Sequence, residues 1–430
     1  MQPEVTAIDE PSIGDAHGHQ ASLTGSVGTP ALKRSTLFLF AVAAGLSVAN
    51  VYFAQPLLDA LSIQFGFNTA SVGLVITVTQ IGYALGLFLI VPLGDWLDRR
   101  RLVLSQLTLS AVALIVVSFA TSKATLLIAM FLVGLFAVVV QVLVAFAASL
   151  ALSEQRGRAV GTVTGGVVLG ILLARTIAGV LSDVAGWRSV YLGSAVLTLL
   201  LACSLYRVLP SSPVNNASRS YPQLLFSVVE LFLSSRILRI RAYIALLLFA
   251  SFGTLWTSLV LPLSASPYSL SRTRIGLFGL AGMAGAIAAG RAGRMADRGR
   301  GQWTTGIGLA LLLGSWWPIG YLHRSLIALT VGIVILDFAV QAVHVTNQSM
   351  IFAAHPTARS RVVAVYMIFY SIGSGIGAIA STKVYAQFGW TGVCVLGISI
   401  STIAFVFWAF TAFVSESSVS TNVTRKESHR

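Results

Sequence analysis

The sequence predicts an all-α membrane protein with twelve transmembrane helices in two parallel six-helix bundles. Three observations lead there. Of 430 residues, 56% are hydrophobic and only 10% are charged, against about 25% charged in soluble domains. Apolar runs of about 20 residues, the length that crosses a bilayer, recur twelve times. The residues that follow the second and fifth runs return after the eighth and eleventh.

A mean hydropathy of +0.85 excludes a water-soluble globule, whose charged surface is missing here. The net charge of +14 is scattered in small basic sets between apolar runs, the pattern of short cytoplasmic loops. It does not form the contiguous patch that nucleic acid requires. Cys203 and Cys394 lie in separate apolar segments, so neither a disulfide framework nor a metal site is expected.

Residues 1–35 are polar, lack a signal-peptide pattern and read as a disordered cytoplasmic tail, with His17 and His19 part of its composition. The expected spans are 36–58, 70–93, 102–121, 124–150, 159–181, 188–208, 241–263, 274–293, 303–321, 325–350, 361–382 and 391–414. The first six form an N-terminal bundle over 36–208 and the last six a C-terminal bundle over 241–414, with a tail at 415–430. Between the bundles, 209–240 is a central cytoplasmic loop. Its Leu224–Leu238 part is apolar and basic enough to lie on the membrane surface as an amphipathic helix. Twelve spans put both termini on one side. Of the Lys and Arg residues between the spans or at their ends, 21 fall in the compartments shared with the termini and 6 in the others. Both termini are therefore expected in the cytoplasm.

The internal repeat is explicit. Gly94, Asp98, Arg99 and Arg101 after the second span coincide with Gly293, Asp297, Arg298 and Arg300 after the eighth. Arg156-Gly-Arg158 and Gly186-Trp187 flank the fifth span as Arg359-Ser-Arg361 and Gly389-Trp390 flank the eleventh. Two parallel copies place a cavity between them near the bilayer midplane, and rocking opens it to each side in turn.

With these features the chain resembles the major facilitator superfamily over about 36–414. The loop Gly94–Arg101 is similar to that superfamily's signature between spans two and three. Asn50-Val-Tyr-Phe-Ala-Gln-Pro56 and Arg156-Gly-Arg158-Ala-Val-Gly161 are similar to its bacterial drug- and sugar-efflux branch. The resemblance implies secondary active transport of a small organic solute by alternating access. Proton-coupled efflux by antiport across the bacterial inner membrane is the first expectation. Proton-coupled import of a sugar or small metabolite is an alternative, and a non-transporting membrane sensor is an alternative of another class. It also implies that Gly94, Asp98, Arg99 and Arg101, with Gly293, Asp297, Arg298 and Arg300, form a latch made in one access state and broken in the other. Two positions depart from the efflux pattern: Val138 stands where an Arg is usual, three residues before Gln141, and Arg175 replaces the fifth-span proline.

A charge at mid-bilayer is a functional candidate. Asp337 lies near the middle of the tenth span, and Gln341, His344 and Gln348 follow it on one helical stripe. A carboxylate and an imidazole so placed can carry and pass a proton. Asp337, His344 and Asp59 are the proton-coupling candidates. Arg175, in the outer third of the fifth span, needs a carboxylate, a substrate anion or enough reach to snorkel outward, with Asp59 and Asp183 the candidate carboxylates. Candidates to line the substrate cavity are Asn50, Tyr52, Gln55, Gln80, Tyr83, Gln141, Arg175, Trp256 and Gln341. Such a cavity, with few charges and aromatic walls, suits neutral or amphipathic solutes better than multiply anionic ones. No nucleotide-binding loop, metal set or nucleophile–base pair is found. The expectation is a monomer in the lipid bilayer with no cofactor, no metal, no nucleic acid and no enzymatic activity, whose partners are the solute and protons.

Overall fold

The computed structural model describes residues 34–152, 155–210, 220–355 and 359–427. At Asp95, Met283, Ala284, Ala286, Ala289, Ala296, Asp297, Arg359, Ser360 and 413–427 the description covers the backbone only. The expected tail over 1–33, the start of the central loop at 211–219 and the last three residues lie outside it.

Nine helices among the described residues are long and apolar enough to cross a membrane. In chain order they are Arg34–Phe65, Leu74–Gly94, Arg99–Ser118, Lys123–Leu150, Arg156–Ala185, Trp187–Val208, Arg236–Ser264, Leu326–Ala354 and Arg361–Ala412. The last is two helices, because Gly389 breaks it at φ 61°. Two further helical segments fill the interval before Leu326. One runs through Arg272–Leu277, a tight 3-10 stretch at Phe278–Gly282 and Met283–Met295. The other is Gly301–Gly320. Numbered in order, these are consistent with twelve spans in an all-helical fold.

Boundaries shift where helix propensity outruns the apolar core. The first span begins at Arg34 and the seventh at Arg236, capped by the Ser235 hydroxyl. The backbone of the last helix continues to Glu427, through the region expected as a tail. A helix at Tyr221–Ser234 occupies the described part of the central loop. It buries Leu224 and Val228 and leaves Phe226 and Leu233 exposed. Tyr221 stacks on Trp96 of the signature loop and donates to the Leu89 carbonyl at 2.7 Å. At its other end Phe232 stacks on Phe369 of the eleventh span, so this helix touches both bundles.

Within each bundle, close helix packing rests on glycines, as expected of small residues in spans. A Cβ on Gly166 or Gly170 of the fifth span would come within 2.1 Å of the Ala41 or Gly45 carbonyl oxygen of the first. Gly373 and Gly377 of the eleventh span meet Leu246 and Ala250 of the seventh at 2.0 and 2.2 Å in the same sense. Backbone thus lies on backbone at corresponding places in the two halves.

The two ends of the molecule differ. At the end away from Arg34, where the first span begins, here the far end, the halves touch. Fifth-span Gly179 lies against the backbone of Arg272 and Thr273, and eighth-span Gly276 against that of Arg175 and Thr176. Thr176 donates to the Gly276 carbonyl at 3.0 Å and Thr77 to that of Gly375 at 2.9 Å. Arg272 bridges Asp59 at 2.9 Å and Asp183 at 3.8 Å. At the end where the first span begins at Arg34 and most of the described arginines lie, here the basic end, Gly161 and Gly165 continue the face of the fifth span that carries Gly179. There a Cβ would meet nothing within 4 Å.

Candidate functional site at the centre of the two bundles

Four spans converge at mid-height. The fifth contributes Arg175, the first Gln55 and Tyr52, the seventh Trp256 and Phe252, and the tenth Asp337. All six are buried. Pro56 begins a 3-10 turn at Gln55–Leu57, where the first span's helical hydrogen bonding is interrupted. Gln55 accepts from the Arg175 Nε at 2.7 Å. The guanidinium lies over the Trp256 ring at 3.8 Å, with the Tyr52 and Phe252 rings at 5.2 and 5.5 Å. The indole N–H of Trp256 donates to the Asp337 carboxylate at 3.1 Å.

One indole therefore holds a cation on its face and a carboxylate at its edge. The ring face is the negative part of the π-system and the N–H edge the positive part, so both contacts are attractive. The cation comes from one half and the carboxylate from the other. No direct ion pair joins them among the described residues, and the Arg175 Nη2 has no hydrogen-bond partner.

The eighth span makes this approach possible because it presents glycines. A Cβ at Gly282 would sit 2.5 Å from the Leu172 side chain and 3.1 Å from an Asp337 oxygen, and one at Gly279 3.1 Å from the Arg175 side chain. A bulkier residue at Gly282 would crowd both the fifth and tenth spans, and one at Gly279 the fifth.

Toward the basic end lies an aromatic layer. The Tyr52 and Tyr370 hydroxyls hydrogen-bond across the two halves, and Phe249 packs on Tyr370 with ring centroids 3.8 Å apart. Below it His344 shares a 2.9 Å hydrogen bond with the Tyr366 hydroxyl and lies 3.4 Å from Gln348. Gln341 stands next to Gly285. Gln80 is engaged by Ser371 at 2.8 Å and Ser374 at 3.2 Å of the eleventh span, while Tyr83 bonds Gln141 within the N-terminal half.

Of the sequence candidates, the structure brings together Tyr52, Gln55, Arg175, Trp256 and Asp337. Asn50 instead faces the sixth span, accepting from Ser194 at 2.6 Å. The expected partners of Arg175 are elsewhere. Asp59 and Asp183 both bind Arg272 at the far end, and Thr273 N–H adds a 2.8 Å bond to Asp183. The reason is competition: Arg272 opens the eighth span at the level of both carboxylates, whereas Arg175 lies deeper, among rings. In the signature loop Asp98 caps the third span through the Arg100 N–H at 2.9 Å, with Arg101 3.9 Å away, and Arg99 donates to the Gly94 carbonyl at 3.0 Å. The corresponding Asp297 side chain lies outside the described residues.

Sequence reasoning missed Phe252, Phe249 and Tyr370, which look like ordinary apolar or aromatic positions until their faces are known. It also placed Arg241 among the surface cations. That residue is 1% exposed and donates to Thr305 at 3.0 Å and Asn347 at 3.2 Å. The only signal was the presence of these polar residues in the ninth and tenth spans. Among the described residues no cluster of three or more His, Cys, Asp or Glu side chains is placed to hold a metal.

A central polar site between two repeated bundles, closed at one end and open at the other, defines a membrane carrier. The family model of the Major Facilitator Superfamily matches residues 37–319 and 244–430, and the chain belongs to that superfamily. It is 45% identical over 377 residues to an uncharacterized transporter, YgaY, of Escherichia coli O157:H7, covering 88% of this chain and 95% of that one. A probable sugar efflux transporter of Mannheimia succiniciproducens is 23% identical, covering 90% and 96%. The fold is similar to that of a bacterial homologue of the human lysosomal transporter Spinster, in an inward-facing and unoccupied conformation. That likeness has a TM-score of 0.72 at 16% identity and covers 89% of this chain and 97% of the other.

Proposed function

We propose that this chain exports a small organic solute across the bacterial inner membrane in exchange for protons, with Asp337 as the coupling site. The single observation that carries the reading is the buried Asp337 carboxylate. It is bonded to Trp256 and faces, across that indole, a guanidinium from the other half. A carboxylate at this depth is costly when ionised and unpaired, so its proton occupancy and the distance of Arg175 are tied together. Solute loading and proton binding therefore alternate: the deprotonated, solute-loaded halves separate at the far end, and a proton taken up there by Asp337 accompanies their return. The solute passes unchanged and no covalent chemistry is involved.

Export agrees with the name of the sugar efflux relative, and the excess of basic residues on the terminal side supports cytoplasmic termini. With that orientation the open end faces the cytoplasm, from which an exporter loads.

Inside-out vesicles test the reading. Solute added to energised wild-type vesicles should evoke proton release, and Asp337→Asn should reduce it at least about a hundredfold while the protein still inserts. Equal release from both would remove Asp337 from the coupling role. Release of the opposite sign would mean symport.

A further inference from the structure

We infer that Arg175 is a tethered stand-in for the cationic group of the transported solute, so that the solute is an organic cation carrying a planar or aromatic-compatible charged end. The inference rests on the transport reading and concerns the same central site.

The guanidinium occupies an aromatic enclosure whose walls come from both halves: Trp256 and Phe252 from the C-terminal one and Tyr52 from the N-terminal one, at 3.8, 5.5 and 5.2 Å. Rings that present their faces to one point within about 6 Å form a cation site, and the Asp337 carboxylate bonded to Trp256 adds negative charge beside it. An anion would face three electron-rich ring faces and a carboxylate. To reach Arg175 it would have to displace Asp337's balancing charge. The enclosure is therefore built for positive charge, and Arg175 fills it.

Geometry also says when it is vacated. Arg175 belongs to the fifth span, whereas Trp256, Phe252 and Asp337 move with the C-terminal half. With the halves in contact at the far end, a cavity bordered by Gln55, Arg175, Trp256 and Ile275 measures about 10 Å³, room for a single water. A solute cannot enter beside the side chain. A solute arriving from the open basic end therefore has to displace the guanidinium toward Gln55 of its own half, and the indole face and carboxylate are then exposed together. A solute cation then takes the place of the guanidinium. Its unpartnered Nη2 means that little hydrogen bonding opposes the exchange.

Equilibrium binding to the full chain in detergent tests this, using benzylguanidinium and benzoate as probes of similar ring size and opposite charge. Removing the tethered competitor by Arg175→Ala should tighten benzylguanidinium binding at least about tenfold. Adding Trp256→Leu to that variant should abolish the gain, which a purely structural role for Arg175 would not produce. If Arg175→Ala does not fold, Arg175→Lys, whose compact ammonium stacks less well, should still tighten binding about threefold. Benzylguanidinium binding no tighter in either variant than in wild type would overturn the inference. So would benzoate binding to wild type that Arg175→Ala loses. The vesicle assay separates the two readings. Solute-evoked proton release with no gain in cation binding leaves transport standing and this inference refuted. A gain in cation binding without proton release does the reverse.

Discussion

The two ends of the fifth span teach different lessons with one face. Near the far end Gly179 lies on the backbone of Arg272 and Thr273, so tightly that a Cβ would stand 2.3 Å from the Arg272 carbonyl oxygen. Five helical turns away, Gly161 presents the same face to open space. The residue type is the same and the neighbourhood opposite. The glycines are thus not fillers in a uniformly packed helix. They are the contact surface of a closing element, engaged at one end and idle at the other. What holds the far end shut is a sum of small terms: backbone approach, three hydroxyl-to-carbonyl bonds, the Thr273 N–H bond to Asp183 and the Arg272 bridge to Asp59 and Asp183.

The sharpest way to break this comparison is to fill both ends in turn. Gly179→Leu places a side chain into backbone, an overpacking that costs about 1–3 kcal/mol or more. It should open the far end and abolish solute-evoked proton release. Gly165→Trp starts from open space at the idle end, where a Cβ meets nothing within 4 Å in this state. It should leave the thermal midpoint within about 2 °C of wild type and yet prevent closure of the basic end, again abolishing release. A destabilised but active Gly165→Trp protein would mean that the idle face never closes.

A smaller effect is expected at Arg272. The ion pairs are partly exposed, with Arg272 28% and Asp59 18% accessible, so their combined worth is about 1 kcal/mol. Arg272→Ala should raise the population open at the far end about fivefold. Labelling of a cysteine placed at the buried Ser182 by a membrane-impermeant maleimide, with Cys203 and Cys394 replaced by Ser, would read this directly. Unchanged labelling would assign closure to the glycine contacts alone.

The smallest effect belongs to the signature loop. Asp98 here caps its own helix, and losing an N-cap costs about 0.5–2 kcal/mol. Asp98→Ala should lower the thermal midpoint by a few degrees. If midpoint and transport are both unaffected, the cap contributes nothing and the loop's arginines act through topology.

Much of this was readable in the chain. Asp337 stood out because a lone carboxylate inside a long apolar run is expensive, and its stripe of Gln341, His344 and Gln348 follows from helical periodicity. The doubled signature and flanking Gly-Trp pairs exposed the repeat. Gly166, Gly170, Gly373 and Gly377 are small residues spaced four apart in apolar runs, the pattern of close span packing, and they lie at helix contacts where a Cβ would come within 2.2 Å of backbone. The partner of Arg175 was not legible. Sequence depth favoured Asp59 and Asp183, and nothing in one dimension shows that Arg272 reaches both first. Arg241 was hidden by its place at a span's edge, where basic residues are ordinarily exposed.

The sequence by itself determined the solvent of this protein, its all-helical fold, the doubling of its architecture and the depth of its buried charges, because hydropathy and periodicity are local properties of a chain. Only the tertiary structure decided which end is closed, which cation meets which ring and that Trp256 stands between Arg175 and Asp337. Those relations join the first, fifth, seventh and tenth spans, and the rotation of each helix about its axis is set by packing against neighbours that the linear pattern does not identify.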